Sequence, residues 1–67
     1  MNIRVNGEKI ELSSTVKVIE DLLVFFELQE RLVIVEQNRE IVTKEEYQST
    51  KLGDGDEIEL VHFVGGG

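Results

Sequence analysis

The first twelve residues alternate between apolar and polar positions around the dipeptide Asn6-Gly7. Asn-Gly is a strong signal for a two-residue β-hairpin turn, because both central residues of a type I′ turn adopt positive φ. With the turn placed there, Ile3 opposes Ile10, and the apolar side chains of both strands lie on one face. The pattern therefore predicts a β-hairpin over residues 1–12 with one buried face.

A helical repeat follows the hairpin. Four apolar residues are spaced at i, i+3, i+4 and i+7, which places them on one face of an α-helix. These residues are Ile19, Leu22, Leu23 and Phe26. Two acidic residues, Glu20 and Asp21, lie off this face near the positive end of the helix dipole. We expect a helix over about residues 18–27, buried through the apolar face.

Two short strands joined by a turn are predicted in the middle of the chain. The unbroken apolar run 32–35 lacks alternation, which indicates a strand that is covered on both faces or placed centrally in a sheet. Asn38 tolerates positive φ, and residues 37–39 are therefore predicted to form a turn. A short strand at residues 41–42 follows it.

The last third of the chain contains one helical turn and one strand. Thr43 and Glu46 have the spacing of a capping box, which predicts a helical turn over residues 44–48 with Tyr47 packed inwards. Alternating polar and apolar positions then predict a final strand over residues 57–64.

The order of these elements indicates the α+β class, with one mixed β-sheet and one main helix packed on one face. We expect the first and last strands to be adjacent and parallel. Residues 1–64 are expected to form one domain and residues 65–67 a flexible tail. The tail consists of three glycines, which contribute no packing and lose the most conformational entropy when ordered.

The composition narrows the possible functions. Asp and Glu number 14 against 7 Lys and Arg, which gives a formal net charge of −7 over 67 residues. Nucleic acids and anionic membrane surfaces attract positively charged proteins, so neither is an expected partner. The chain contains no cysteine, which excludes disulfides, thiolate metal sites and a cysteine nucleophile. No apolar stretch approaches the roughly 20 residues of a membrane span, and we expect a cytoplasmic protein.

Two candidate sites lack a complete set of catalytic or metal-binding groups. The acidic segment 54–57 does not have the ligand spacing of an EF-hand, and a solvated turn before the last strand is the expected structure. His62 has no accompanying nucleophile and orienting group in the sequence pattern, so we expect a partly exposed contact residue. No catalytic residue is therefore predicted.

The last strand carries apolar residues on both faces. Ile58 and Leu60 are expected to point towards the helix, whereas Val61 and Phe63 point the other way. An apolar pair on an open sheet face marks either a docking surface or a second small core, which Val64 and the tail would cover. We favour a docking surface, because the glycine tail that follows also has the features of a functional segment.

Six segments, spread in this order over nearly the whole chain, form a recognisable pattern. They are Ile3-x-Val5-Asn6-Gly7, Ile19-Glu20-Asp21-Leu22-Leu23, Val33-Ile34-Val35-Glu36-x-Asn38-x-x-Ile41-Val42, Tyr47, Gly55-Asp56-x-Ile58-Glu59 and Phe63-Val64-Gly65-Gly66-Gly67. In their order and spacing, these segments resemble the ThiS family of small sulfur-carrier proteins, which belongs to the ubiquitin-like β-grasp superfamily. This resemblance implies a ubiquitin-like β-grasp fold and a role in thiamin (thiazole) biosynthesis.

The resemblance also implies a mechanism. The Gly67 carboxylate would attack the α-phosphate of ATP inside a separate, ThiF-like adenylyltransferase of the ubiquitin-activating type. A persulfide donor, such as a cysteine desulfurase, would then supply sulfur, giving a C-terminal thiocarboxylate for a ThiG-like thiazole synthase. The chain would bind no cofactor, since the partner uses the ATP, and it would be a co-substrate and not an enzyme. The implied site comprises Gly66 and Gly67 for adenylation and thiocarboxylation, with Val61, Phe63, Val64 and Gly65 for partner binding.

Other functions remain open at this level. A molybdopterin-type sulfur carrier resembles this chain in fold and tail, although such carriers are usually longer. A ubiquitin-like modifier would use the same Gly-Gly end to form isopeptide bonds with lysines. A scaffold module would not need a free C-terminus. A β-grasp ferredoxin is excluded, because the chain has no cysteine.

Overall fold

The computed structural model describes residues 1–62, which form a five-stranded mixed sheet and one α-helix. The elements are β1 (Asn2–Val5), β2 (Glu8–Glu11), α1 (Ile19–Phe25), β3 (Val33–Gln37), β4 (Glu40–Val42) and β5 (Glu57–His62), with a 3₁₀ turn at Lys44–Glu46. The strand order is β2-β1-β5-β3-β4. Strands β1 and β5 are parallel, and the other neighbouring pairs are antiparallel. The sheet confirms the predicted α+β class and the parallel pairing of the first and last strands.

The N-terminal hairpin forms in the predicted register. Asn6 and Gly7 have φ angles of 51° and 86°, and Ile3 lies opposite Ile10 across β1 and β2. Positive φ at both turn positions matches the right-handed twist of the two strands, which is why this dipeptide closes the hairpin. Ile3 is buried and Ile10 is partly buried against the same core, so the hairpin has one apolar face as predicted.

The core lies between the helix and one face of the sheet. The side chains that are 1 % exposed or less come from both layers and are Ile3, Ile19, Leu22, Leu23, Val35 and Ile58. Phe26, the last member of the predicted helical stripe, is partly buried at the edge of this core. The apolar face predicted for the helix is therefore the face that is buried.

The helix ends at Phe25, two residues earlier than predicted. Glu27 adopts a left-handed conformation with a φ of 60°, and the Leu28 N–H donates to the Leu23 carbonyl at 2.7 Å. This bond closes a Schellman-type C-terminus. The apolar spacing that continues to Phe26 could not show this end, because the residue that turns left-handed is a glutamate and not the usual glycine.

Strand β3 lies between β5 and β4, which confirms the interior position predicted for the apolar run. The alternative prediction, coverage on both faces, is wrong, since Ile34 is 44 % exposed and Leu32, just before the strand, is 77 % exposed. The helix packs on the opposite face, and it leaves this one uncovered. The turn into β4 is closed by Asn38 and Arg39, whose φ angles are 52° and 72°.

The segment after β4 forms the predicted single helical turn, as a 3₁₀ turn over Lys44–Glu46. The Thr43 N–H donates to the Glu46 carboxylate at 3.2 Å, as in a capping box. Tyr47 is buried, and its hydroxyl donates to the Val33 carbonyl at 3.3 Å. Within residues 1–62, α1 and this turn fall far short of the length and apolarity that a membrane-spanning helix requires.

Candidate functional site

Strand β5 carries the last described residues and has two different faces. Ile58 and Leu60 are buried against the helix side, whereas Val61 is 52 % exposed on the opposite face. This alternation confirms the predicted orientation of these three residues. The other residues predicted for the site lie outside the described residues and stay predictions. They are Phe63, Val64, Gly65, Gly66 and Gly67.

Val61 is part of a larger apolar surface on the face of the sheet away from the helix. Val61 lies directly opposite Ile34 in the β3–β5 register. Ile41, on β4, pairs with Glu36 and is 67 % exposed. Leu32, just before β3, is 77 % exposed and lines one recess together with Ile34 and Ile41. We call Leu32, Ile34, Ile41 and Val61 the open-face patch. Grouped exposed apolar side chains of this kind mark interaction surfaces.

The sequence prediction included Val61 but missed its neighbours in the open-face patch. The run 32–35 was ambiguous, because a strand covered on both faces and a strand with an exposed apolar face have the same composition. One signal could have resolved it. One helix can cover only one face of a sheet, so apolar residues on the other face are exposed unless a further segment of the chain packs over them.

Charged side chains occupy the part of the open face that is farther from the end of β5. Glu36 lies opposite Glu59, and Arg4 lies opposite Glu57. A shallow recess is lined by both arginines of this region and all three acidic residues, namely Arg4, Arg39, Glu36, Glu57 and Glu59. The open face therefore combines apolar surface, suited to burial, with charged groups, suited to orienting a partner. Ile41 lies where the two meet, because it pairs with Glu36 at the β4 edge.

His62 is exposed and shares the parity of Leu60, so it lies towards the helix side. It borders a largely apolar recess whose other lining residues include Ile10, Phe26 and Leu28. Glu8 is the other ionisable residue lining this recess. The exposure predicted for His62 is confirmed, and its surroundings suit a contact residue better than a general base, which needs a nucleophile and an orienting partner.

The acidic turn before β5 is a structural element. Asp56 accepts hydrogen bonds from the Gly53 N–H at 2.7 Å, the Gln37 side chain at 2.9 Å and the Asn38 side chain at 3.1 Å. Burial opposes ionisation of Asp56, but these hydrogen bonds outweigh it and lower its pKa. The predicted turn is confirmed, but it is bonded to the β3–β4 turn and partly buried, and not simply solvated. Residues 1–62 contain no group of three or more His, Cys, Asp or Glu side chains that could hold a metal ion.

The mixed sheet, the single packed helix and the exposed apolar patch beside the end of β5 define a small β-grasp protein. A structural comparison agrees with this class. The crystal structure of the thiamine biosynthesis protein ThiS from Geobacter metallireducens matches with a TM-score of 0.82 and 32 % identity, over 100 % of both chains. The model of the ThiS family matches residues 3–67, and the chain belongs to this family.

Individual relatives extend this result. The chain is 45 % identical over 65 residues to the sulfur carrier protein ThiS of Bacillus subtilis, covering 97 % of this chain and 98 % of that protein. It is also 42 % identical to a thiazole synthase of Paramagnetospirillum magneticum, over 100 % of this chain and 20 % of that protein. As a ThiS protein, the chain is a sulfur carrier of thiamine biosynthesis and not an enzyme.

Proposed function

We propose that the chain carries sulfur as a thiocarboxylate on Gly67 and delivers it to a thiazole synthase. The observation that carries this proposal is the family match, which runs through the glycine tail to residue 67. The alignment to part of a thiazole synthase supports the choice of recipient, because that protein contains a carrier-like segment within its own chain. The family match also favours this pathway over molybdopterin synthesis and over protein modification.

The chemistry at the terminal carboxylate proceeds in three steps. One Gly67 oxygen attacks the α-phosphorus of ATP, and pyrophosphate leaves. A persulfide sulfur then attacks the acyl carbon, and AMP leaves. A thiol then attacks the donor-side sulfur of the resulting acyl disulfide. The thiocarboxylate leaves, and the thiol and the donor sulfur remain joined as a disulfide, which accounts for the two electrons. Adenylation is needed because a free carboxylate is a poor electrophile without a leaving group.

The activating partner supplies the catalytic groups. Charge stabilisation of a phosphoryl transition state needs cations or a metal ion, and the acidic carrier, with its net charge of −7, is unsuited to supply them. We assign ATP binding to a ThiF-like adenylyltransferase and sulfur supply to a persulfide donor such as a cysteine desulfurase. The carrier contributes a thin tail, since Gly66 and Gly67 have no Cβ to obstruct a narrow tunnel.

We assign recognition of both partners to the face beside the tail. Val61 and the rest of the open-face patch offer apolar surface for burial, and the predicted contacts Phe63, Val64 and Gly65 follow directly in the sequence. Burial of the patch must offset the entropy lost when the glycine tail becomes ordered inside the partner. The acidic surplus speeds the encounter with a basic partner surface.

ATP–pyrophosphate exchange with the cognate activating enzyme tests this proposal. Two variants separate the length of the tail from its shape. Deleting Gly67 leaves a chain that still ends in Gly-Gly, but it withdraws the carboxylate by roughly 3.3–3.6 Å. Gly66→Val keeps the length and adds a β-branched side chain. We expect exchange with the full chain and none with either variant, because a misplacement of about 1 Å can already cost on the order of a hundredfold in rate.

Both variants must melt at the same temperature as the unmodified chain, so that lost exchange cannot be attributed to unfolding. Exchange by the Gly67 deletion at the rate of the full chain would show that the terminal glycine is not the reacting group. The proposed function would then be abandoned.

A further inference from the structure

The parallel pairing of β1 with β5 stops where the chain turns back into β2. Along this pairing, the Arg4 N–H donates to the Asp56 carbonyl and the Asn6 N–H donates to the Ile58 carbonyl, both at 2.9 Å. This pairing advances by two residues at a time along β5, so the next residue of β5 to be paired is Leu60. The backbone of β1 cannot reach it, because the hairpin turn begins at Asn6.

The Asn6 side chain continues the pairing in place of the backbone. Its Oδ1 accepts a hydrogen bond from the Leu60 N–H at 2.8 Å, and its Nδ2 donates to the Leu60 carbonyl at 3.1 Å. A carboxamide has the same donor and acceptor as a peptide group, so it replaces one peptide unit of the missing strand. Leu60 is buried, and its backbone groups would otherwise lack a partner on this side.

We propose that Asn6 is a positioning residue for the reaction at the C-terminus. It holds β5 on the β1 side up to Leu60, while β3 holds the other side up to His62, which pairs with Val33. The end of the described part of β5, at His62, is thereby fixed relative to the open-face patch. A partner that binds the patch then finds His62 at a defined position, from which five residues lead to the Gly67 carboxylate. This inference rests on the proposed function of Gly67.

Asn6 also has a simpler role, because it adopts the positive φ of the hairpin turn. Asn6→Gly separates the two roles, since Gly accepts positive φ and retains the turn but removes the carboxamide. Asn38→Gly is a matched control. Asn38 has a φ of 52° in the β3–β4 turn, and its Oδ1 accepts a hydrogen bond from the Glu57 N–H at 2.9 Å. It therefore contacts β5 at the end remote from the tail.

The first measurement is hydrogen exchange of the Leu60 N–H, with the Arg4 N–H as an internal reference for opening of the whole β1–β5 pairing. In Asn6→Gly we expect Leu60 to exchange roughly tenfold faster relative to Arg4, because its acceptor is gone. In Asn38→Gly the ratio does not rise, because the lost bond lies at the Glu57 end of the pairing, opposite Arg4 and away from Leu60. An unchanged ratio in Asn6→Gly would overturn the proposal.

The second measurement is steady-state adenylation by the cognate activating enzyme. We expect Asn6→Gly to lower kcat about tenfold with KM for the carrier within about twofold, because the patch is intact but the carboxylate is misplaced. Asn38→Gly leaves both constants within about twofold. Equal kcat values for the two variants would refute a positioning role.

A third variant covers the case in which Asn6→Gly is too unstable to assay. Asn6→Asp accepts positive φ and keeps an oxygen for the Leu60 N–H, but it loses the Nδ2 donor to the Leu60 carbonyl. We therefore expect an intermediate loss of kcat. A kcat equal to that of the unmodified chain would contradict the proposal. Failure of the proposed function is seen separately, in the unmodified protein. If that protein is not adenylated at all, the proposed function falls, and the role of Asn6 in delivering the tail falls with it.

Discussion

The Asp56 carboxylate joins the turn before β5 to the β3–β4 turn through three hydrogen bonds. One oxygen accepts from the Gly53 N–H and the Gln37 side chain, and the other accepts from the Asn38 side chain. Asp56→Asn keeps the size of the side chain, but only one oxygen remains to accept from the three donors. The new NH₂ group takes the place of the other oxygen and faces a donor that it cannot accept from. Losing one charge-assisted bond and weakening two others costs about 2 kcal/mol of unfolding free energy. For a domain of this size, that lowers Tm by about 8–16 °C.

The contribution of Asp56 also depends on pH. Its pKa in the folded protein lies below the ordinary value of 3.8, because the hydrogen bonds outweigh the effect of burial. Between the folded and unfolded pKa values, the unfolded chain binds more protons, so stability rises with pH. The stabilisation is complete above about pH 5 and is lost as the pH falls through the folded pKa.

Urea unfolding at a series of pH values measures both effects. The difference in unfolding free energy between the unmodified chain and Asp56→Asn is expected to be largest near neutral pH and to shrink below about pH 4. Asp54→Asn is the control, because the exposed Asp54 accepts one bond, from the Asn2 N–H at 2.7 Å, and the variant keeps an oxygen for it. It should lose less than about 1 kcal/mol. Equal losses for the two variants, or a difference unchanged at low pH, would refute the reasoning.

Three further outcomes are expected. Leu22→Ala lowers the unfolding free energy by about 2–5 kcal/mol, because Leu22 is 0 % exposed. The control is Val24→Ala on the same helix, where the side chain is 49 % exposed; this variant changes the unfolding free energy by less than about 0.5 kcal/mol. Urea titration measures both variants, and a decrease below about 1 kcal/mol for Leu22→Ala would contradict the assignment of Leu22 to the core. Val61→Ala and Phe63→Ala weaken binding to the activating enzyme, measured by calorimetry, with little loss of stability. If one of these variants unfolds while its folded fraction binds the enzyme with unchanged affinity, that residue belongs to the core and not to the docking surface. Added salt slows the association of the carrier with its activating enzyme, measured by stopped-flow mixing. An association rate that does not depend on salt would exclude electrostatic steering.

Local rules were sufficient to predict the hairpin and the helix face. Asn6-Gly7 determines both the turn type and the register, since a two-residue loop leaves no freedom in the pairing of Ile3 with Ile10. The helical stripe likewise identifies the buried face, because the period of the apolar residues matches the helix. The end of the helix did not follow from such rules, since Glu27 adopts a conformation that its residue type disfavours.

The open-face patch and the role of Asn6 depend on contacts between distant segments. Because Ile34 lies within an apolar run, its sequence context alone favours a core position. Its exposure follows only once α1 is known to pack on the other face of the sheet. The presence of Asn at position 6 is already accounted for by the positive φ of the hairpin turn, so the local sequence gives no reason to look for a second role. Its hydrogen bonds to Leu60 join residues 54 positions apart. Only the parallel placement of β1 beside β5 brings its carboxamide to that strand.

The intact mass of the protein isolated from cells tests the central claim most directly. A sulfur carrier that has met its activating enzyme and donor has one oxygen of the Gly67 carboxylate replaced by sulfur. We expect a species heavier than the sequence mass by the difference between sulfur and oxygen, which disappears on deletion of Gly67. A single species at the sequence mass, in cells that actively make thiamine, would contradict the account. Recovery of the chain in isopeptide linkage to other proteins would contradict it in favour of a protein modifier.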